Sequence, residues 1–143
     1  MRQKWIFAAL LSVLFLFSVS GLVLAKEYNY MKPETLKNKI NNKEPVDIVD
    51  IQVQKEFSEH HIKGAMSTCA YPVKSEEEKA KLDTAIEKYK GDAAPIVIVC
   101  PRGAGGAKRA YDYMEEKGIP KDRLFILEKG QGGWPYKELE QHD

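Results

Sequence analysis

The sequence has no surplus of charge of either sign, no internal repeats and no low-complexity segments. Its 22 Lys and Arg residues are balanced by 21 Asp and Glu residues, so that the formal net charge is +1. A nucleic-acid-binding domain carries a clustered basic face, and nucleic acid is therefore excluded as a partner. The length and the composition fit one small globular domain.

Long apolar runs are also absent, except at the N-terminus. Residues 1–4 carry two positive charges, and residues 5–24 are almost wholly apolar. Val23-Leu24-Ala25 then ends the run with small residues at the positions that a signal peptidase reads, which predicts a signal peptide over residues 1–25. An apolar run of about 20 residues can also span a bilayer, so an uncleaved N-terminal membrane anchor is the alternative.

Both versions of the N-terminal segment predict export. We expect the domain to be periplasmic or otherwise extracytoplasmic, either secreted or anchored. Contact with a membrane is expected only if the segment is retained.

Cysteine is scarce, with Cys69 and Cys100 as the only two. In an oxidising compartment such a pair would ordinarily suggest a disulfide. A permanent bridge would, however, consume Cys100, whose sequence context is that of a nucleophile. Cys69 is interpreted as a packed thiol, with a resolving or regulatory thiol as the alternative.

Cys100 lies between a β-branched run, Ile96–Val99, and a loop of small residues, Pro101–Gly106. The run is typical of a buried strand, and a helical pattern resumes at Ala107. Such a loop can wrap its backbone N–H groups around one point and stabilise a thiolate or a persulfide there. A cysteine at a strand end is often only a packing residue. Packing alone does not require the loop's three glycines, whereas close approach of the backbone to an anionic group does.

Three segments, in this order along the chain, resemble the rhodanese (sulfurtransferase) family. Residues 50–65 resemble its N-terminal signature, in which an Asp ends a strand and a His-Ile-x-Gly-Ala turn follows. The Cys100 loop is the second segment, and the Gly-Gly-Trp of residues 132–134 is the third. The resemblance covers residues 30–140. It assigns structural roles to four residues of the signatures: Asp50, His61, Gly64 and Trp134.

The resemblance implies an α/β domain of three layers, with a mainly parallel central sheet flanked by helices. The alternation of strand and helix patterns predicts the same class. The pattern also predicts a strand over Ala65–Tyr71 and a short closing helix over Tyr136–Gln141. Ligand sites of such sheets lie at the carboxyl ends of the strands, so Asp50, Cys100 and the loop at residues 129–133 can converge at one edge.

The resemblance further implies a sulfurtransferase that works through a persulfide on Cys100. The sulfur would come from a small anionic donor such as thiosulfate and would pass to a thiol, to cyanide or to a partner protein. Arg102 would attract the donor, and backbone N–H groups of the loop would surround the charged sulfur. No metal or organic cofactor is expected. The expected substrate-binding residues are Arg102, Gly103, Ala104, Gly105 and Gly106.

The chain departs from the family pattern at three places. Gln52 and Gly105 stand where Arg is usual or frequent, and His60 stands where Gly is usual. These departures keep open an alternative function, a sulfur-carrier or anion-binding module without turnover. A phosphatase or arsenate reductase on this scaffold needs an Arg separated from the cysteine by five residues, because the guanidinium clamps an oxyanion. The residue at that position after Cys100 is Gly106, so neither activity is expected.

Histidine is scarce as well, with only His60, His61 and His142. Adjacent histidines on one turn face different directions, and no third ligand stands at a fitting spacing. No metal site is therefore expected. Trp134 is interpreted as a core aromatic residue rather than as a platform for substrate.

Overall fold

The computed structural model describes residues 21–22 and 24–143. Residues 1–20 and 23, which form most of the predicted signal peptide or anchor, lie outside the described residues. Within the part of the chain that is described, no helix is long and apolar enough to cross a membrane.

A parallel sheet of five strands forms the centre of the domain. Its strands are β1 (Tyr30–Met31), β2 (Asp47–Asp50), β4 (Met66–Ser67), β5 (Ile96–Val99) and β6 (Leu124–Leu127). Across the sheet they lie in the order β1-β6-β5-β2-β4. A separate antiparallel pair is formed by β3 (His61–Ile62) and β7 (Glu140–Gln141). The helices are α1 (Pro33–Asn41), α2 (Gln54–Glu59), α3 (Glu76–Ala80), α4 (Asp83–Tyr89) and α5 (Gly105–Glu116).

Strand β5 lies in the middle of the sheet and is buried on both faces. Successive side chains of a strand point to opposite faces, and Ile96 and Ile98 belong to one core cluster while Val97 and Val99 belong to the other. The first cluster packs under α4 and α5, and the second under α1 and the C-terminal segment. The predicted three-layer α/β architecture is confirmed, and an unbroken β-branched run is what such a doubly covered strand requires.

Two local predictions are wrong. The strand expected over Ala65–Tyr71 is only β4, because the backbone turns at Cys69, which has a φ of 56°. The closing helix expected over Tyr136–Gln141 is a single 3-10 turn, Lys137–Leu139, followed by β7. The last residues are extended because they pair with β3, a contact across nearly eighty residues that no local pattern indicates.

Candidate active site

The sulfur of Cys100 lies at the carboxyl end of the central strand. Cys100 directly follows β5 and is only 2% exposed. Its Sγ accepts a hydrogen bond of 2.9 Å from the backbone N–H of Gly103. Among the described residues, Gly103 is the one loop residue whose N–H reaches the sulfur, so the predicted cradle of N–H groups is present at this position alone. Gly103 has a φ of 69°, which glycine adopts without strain.

The segment that carries the Gly-Gly-Trp motif holds this loop in place. The backbone N–H of Gln131 donates to the carbonyl of Cys100 at 2.8 Å, and that of Gly132 donates to the carbonyl of Pro101 at 2.9 Å. Gly130 lies so close that a Cβ on it would be 2.1 Å from the Cys100 carbonyl oxygen. The second and third sequence signatures thus meet in space as one interlocked structure.

The other predicted loop residues occupy different environments. Arg102 and Ala104 are exposed, and Ala104 immediately precedes α5. Gly105 lies against Arg109, whose Nη1 is 2.9 Å from the position that a Cβ would take. Gly106 is buried beneath the ring of Tyr71, and a Cβ on it would lie 3.0 Å from that ring, so a side chain there would require the ring to shift. The described contacts thus give Gly106 a packing role.

An open cleft of about 410 Å³ adjoins the loop. Arg102 and Pro101 form part of its wall, and Gln52, Gln131 and Trp134 form another part. Gln131 is 7% exposed, and its side-chain amide makes no hydrogen bond to any described residue. No local sequence pattern indicates this residue, because only the fold buries its amide.

Asp50 ends the neighbouring strand β2 and is fully buried. Its two carboxylate oxygens accept hydrogen bonds from Gln52, one from the backbone N–H at 2.8 Å and one from Nε2 at 3.0 Å. The same Nε2 also donates to the carbonyl of His60 at 3.1 Å. Burial raises the pKa of Asp50 to about 6, since the hydrogen bonds from the neutral Gln52 offset only part of the desolvation.

The remaining signature residues make packing and turn contacts. His61 is buried, stacks on Phe57 with a ring separation of 3.9 Å, and has its Nδ1 2.8 Å from the Phe57 carbonyl oxygen. Gly64 has a φ of 86° in the turn after β3. Trp134 is 3% exposed within a core cluster, and its Nε1 donates to the Tyr136 carbonyl.

Cys69 lies apart from the loop contacts. Its thiol is partly exposed, 3.5 Å from Gln54 Oε1 and 3.6 Å from the Ser67 hydroxyl. These polar neighbours do not fit the interpretation of Cys69 as a simply packed thiol. Both cysteines are free.

The fold also brings together two histidines that are far apart in the sequence. The rings of His60 and His142 lie 5.0 Å apart, and Glu140 is beside them. The sequence shows no third ligand at a fitting spacing, but the pairing of β3 with β7 brings Glu140 and His142 next to His60.

The family model for the rhodanese-like domain matches residues 32–136 of this chain, in agreement with the three signatures and the loop geometry. The chain belongs to the rhodanese-like domain family. No curated protein matches the chain.

Solved structures share this rhodanese-like fold. A rhodanese-like domain protein from Staphylococcus aureus is 25% identical, with a TM-score of 0.56 over 80% of this chain and 98% of that one. A thiosulfate sulfurtransferase from Pseudomonas aeruginosa is 21% identical, with a TM-score of 0.61 over 81% of this chain and 20% of that one. An As-Sb reductase from Leishmania major is 18% identical, with a TM-score of 0.59 over 81% and 86% of the two chains. At these identities the last two likenesses concern the fold alone.

Proposed function

We propose that this rhodanese-like domain is a sulfurtransferase that carries sulfur as a persulfide on Cys100. The observation that supports the proposal best is the position of the sulfur, at the end of the central strand with the Gly103 N–H directed at it from 2.9 Å. An N–H donor in that position stabilises the negative charge of the Cys100 thiolate, the form that attacks the sulfur donor and that sulfur release regenerates.

The chemistry takes two steps. The Cys100 thiolate attacks the outer sulfur of thiosulfate, the S–S bond of the donor breaks, and sulfite leaves with the electron pair. Cys100 is then a persulfide anion. A cyanide ion or a thiolate attacks the terminal sulfur, takes it as thiocyanate or as a new persulfide, and returns Cys100 to the thiolate.

Recognition of an anionic donor is assigned to Arg102 and Gln131. Arg102 is exposed on the cleft wall, whereas Gln131 holds a buried amide without a partner among the described residues. A buried amide without a partner costs about 1–3 kcal/mol, and a donor oxygen that accepts its N–H removes that cost. The same cleft also carries three carboxylates, Glu56, Glu59 and Glu140. The positions of Arg102 and Gln131 beside the loop therefore matter more for donor binding than the net charge of the cleft.

The two cysteines provide a matched test of the central assignment. Thiosulfate:cyanide sulfurtransferase activity is measured for the Cys100→Ser and Cys69→Ser variants. We expect Cys100→Ser to lose activity and Cys69→Ser to retain most of it, with both variants folded by circular dichroism. Substantial activity in folded Cys100→Ser would refute the assignment.

A second candidate function is sulfur carriage without turnover. Cys100 is only 2% exposed, and neither Gln52 nor Gly105 supplies the positive charge that relatives place there. A carrier would take up one sulfur quickly and release it to cyanide slowly, with release to a partner protein instead. Stopped-flow measurement of each half-reaction separates the two functions.

The cellular location of the domain is proposed from the N-terminal segment alone. The small residues before Lys26 favour cleavage, which would release the domain outside the cytoplasm. N-terminal sequencing of the exported material tests this. A chain that begins at Lys26 is expected, whereas Met1 in a membrane fraction would favour the anchor.

A further inference from the structure

Three side chains with metal-binding atoms meet at the pairing of β3 and β7. His60 lies between the end of α2 and the start of β3, Glu140 belongs to β7, and His142 follows β7. The register of the pair places His61 opposite Gln141, so the residues on either side are brought to the same place. One ligand atom from each of the three lies within 4.8 Å of the others.

The carboxylate of this cluster, Glu140, already contacts two side chains. Only 6% of the Glu140 side chain is exposed, and its Oε2 lies 3.6 Å from His60 Nδ1 and 3.4 Å from Lys137 Nζ. A carboxylate that is nine-tenths buried is costly without a positive partner. Lys137 donates a hydrogen bond of 3.4 Å to this carboxylate, but its side chain is 78% exposed, and such a solvent-exposed ammonium contributes little as a partner.

His142 is oriented in the way that metal-bound histidines commonly are. Its Nδ1 contacts the backbone carbonyl of Glu59, which leaves Nε2 available as a ligand. Ligating imidazoles usually donate their second N–H to a carbonyl or a carboxylate, which fixes the ring and the tautomer. The Glu59 carbonyl, on the last residue of α2, supplies that support here.

We propose that His60, Glu140 and His142 form a Zn²⁺ site. Two imidazole nitrogens and one carboxylate oxygen are a donor set that suits Zn²⁺, at bond lengths of about 2.0–2.2 Å. Small rotations of the exposed His60 and His142 rings would bring the ligand atoms to that distance. Hard cations are excluded, because Mg²⁺ and Ca²⁺ require mainly oxygen ligands. Three protein ligands leave a fourth position for water or another ligand.

The position of the site has a consequence for the cleft. His60, Glu59 and Glu140 line the same cleft as Arg102. A bound Zn²⁺ would offset the negative charge of Glu59 and Glu140 at this part of the wall and would link the C-terminal strand to the start of β3. The binding of Zn²⁺ itself is independent of the sulfur chemistry proposed for Cys100.

The test uses the full chain without a polyhistidine tag and with both cysteines changed to Ser, so that no thiol binds the metal. Zn²⁺ is titrated in competition with a chromophoric chelator, and Co²⁺ is used as a spectroscopic probe of the donor set. The variants are His60→Ala, His142→Ala and Glu140→Gln, with Glu138→Gln as a matched control. Glu138 is an exposed carboxylate two residues from Glu140 and lies outside the group.

We expect one Zn²⁺ per chain, a melting temperature that rises with Zn²⁺ concentration, and no response to Mg²⁺. Each ligand variant should weaken binding at least about tenfold, the lower range for changes at metal sites, whereas Glu138→Gln should bind like the parent. Because His142 is exposed and follows the last strand, His142→Ala should fold normally. The proposal is overturned if the parent binds no Zn²⁺, or if folded His142→Ala binds it as tightly as the parent.

Discussion

The buried carboxylate of Asp50 should make the stability of the domain depend on pH in an unusual direction. Its pKa is raised from 3.8 to about 6, chiefly by desolvation. Between these two values the folded state holds a proton that the unfolded state has lost, so stability falls as pH rises. One pKa unit corresponds to about 1.4 kcal/mol, so the full loss from well below pH 3.8 to well above pH 6 is about 3 kcal/mol, of which about 2.4 kcal/mol falls between pH 4 and pH 7.

Asp50→Asn removes this titration while keeping the shape of the side chain. The Gln52 amide can rotate to accept from the new amide, which adds an offset that is independent of pH. We expect the free energy of unfolding of the variant, minus that of the wild type, to increase by about 2.4 kcal/mol from pH 4 to pH 7. Urea denaturation at several pH values measures this difference, in which the other titrating groups cancel.

A second variant tests the cause. Gln52→Arg places a positive charge beside Asp50, which favours the ionised carboxylate and should reduce the loss of stability with pH. A difference between Asp50→Asn and wild type that stays constant from pH 4 to pH 7 would refute the reasoning. It would mean that the carboxylate is solvated or paired in a way that the burial of Asp50 does not allow.

Three further predictions concern the loop and the cleft. Arg102→Ala should raise KM for thiosulfate about fivefold, a loss of about 1 kcal/mol in binding, with little change in kcat and a smaller effect at high salt. Lys108, an exposed cation on α5, provides the control variant Lys108→Ala, and an equal effect of both substitutions would contradict a specific role for Arg102. Gln131→Met should raise KM while stabilising the fold by about 1 kcal/mol, because an unpaired buried amide is removed; unchanged KM would exclude Gln131 from donor binding. Gly130→Ala should cost at least about 2 kcal/mol and disable the loop, since its Cβ would meet the Cys100 carbonyl. Gly118 also has a positive φ, of 103°, but Gly118→Ala adds a Cβ into open space; similar losses in both would show that the close approach is unimportant.

Local patterns in the sequence were sufficient to predict the central strand and the loop. The β-branched run of β5 is typical of a strand in a parallel sheet that helices cover on both faces, and the cysteine followed by glycines marks the end of that strand. The three signatures placed Asp50, Cys100 and Trp134 in one domain. These features depend on residues that are close in the sequence, which is why they could be predicted.

Contacts between distant segments could not be predicted in the same way. Two-residue strands such as β3 and β7 carry no periodicity, so nothing in the sequence brought His142 to His60. The unpaired amide of Gln131 depends on burial by the fold, and the close approach of Gly130 depends on a loop thirty residues earlier. In each case the deciding interaction is made by the backbone or by a non-local neighbour.

The intact mass of the purified protein after incubation with thiosulfate tests the central claim most directly. The account predicts a gain of one sulfur atom on Cys100 that cyanide removes, retained in Cys69→Ser and absent in Cys100→Ser. An unchanged mass in the wild-type protein, or a sulfur that remains after Cys100→Ser, would contradict it.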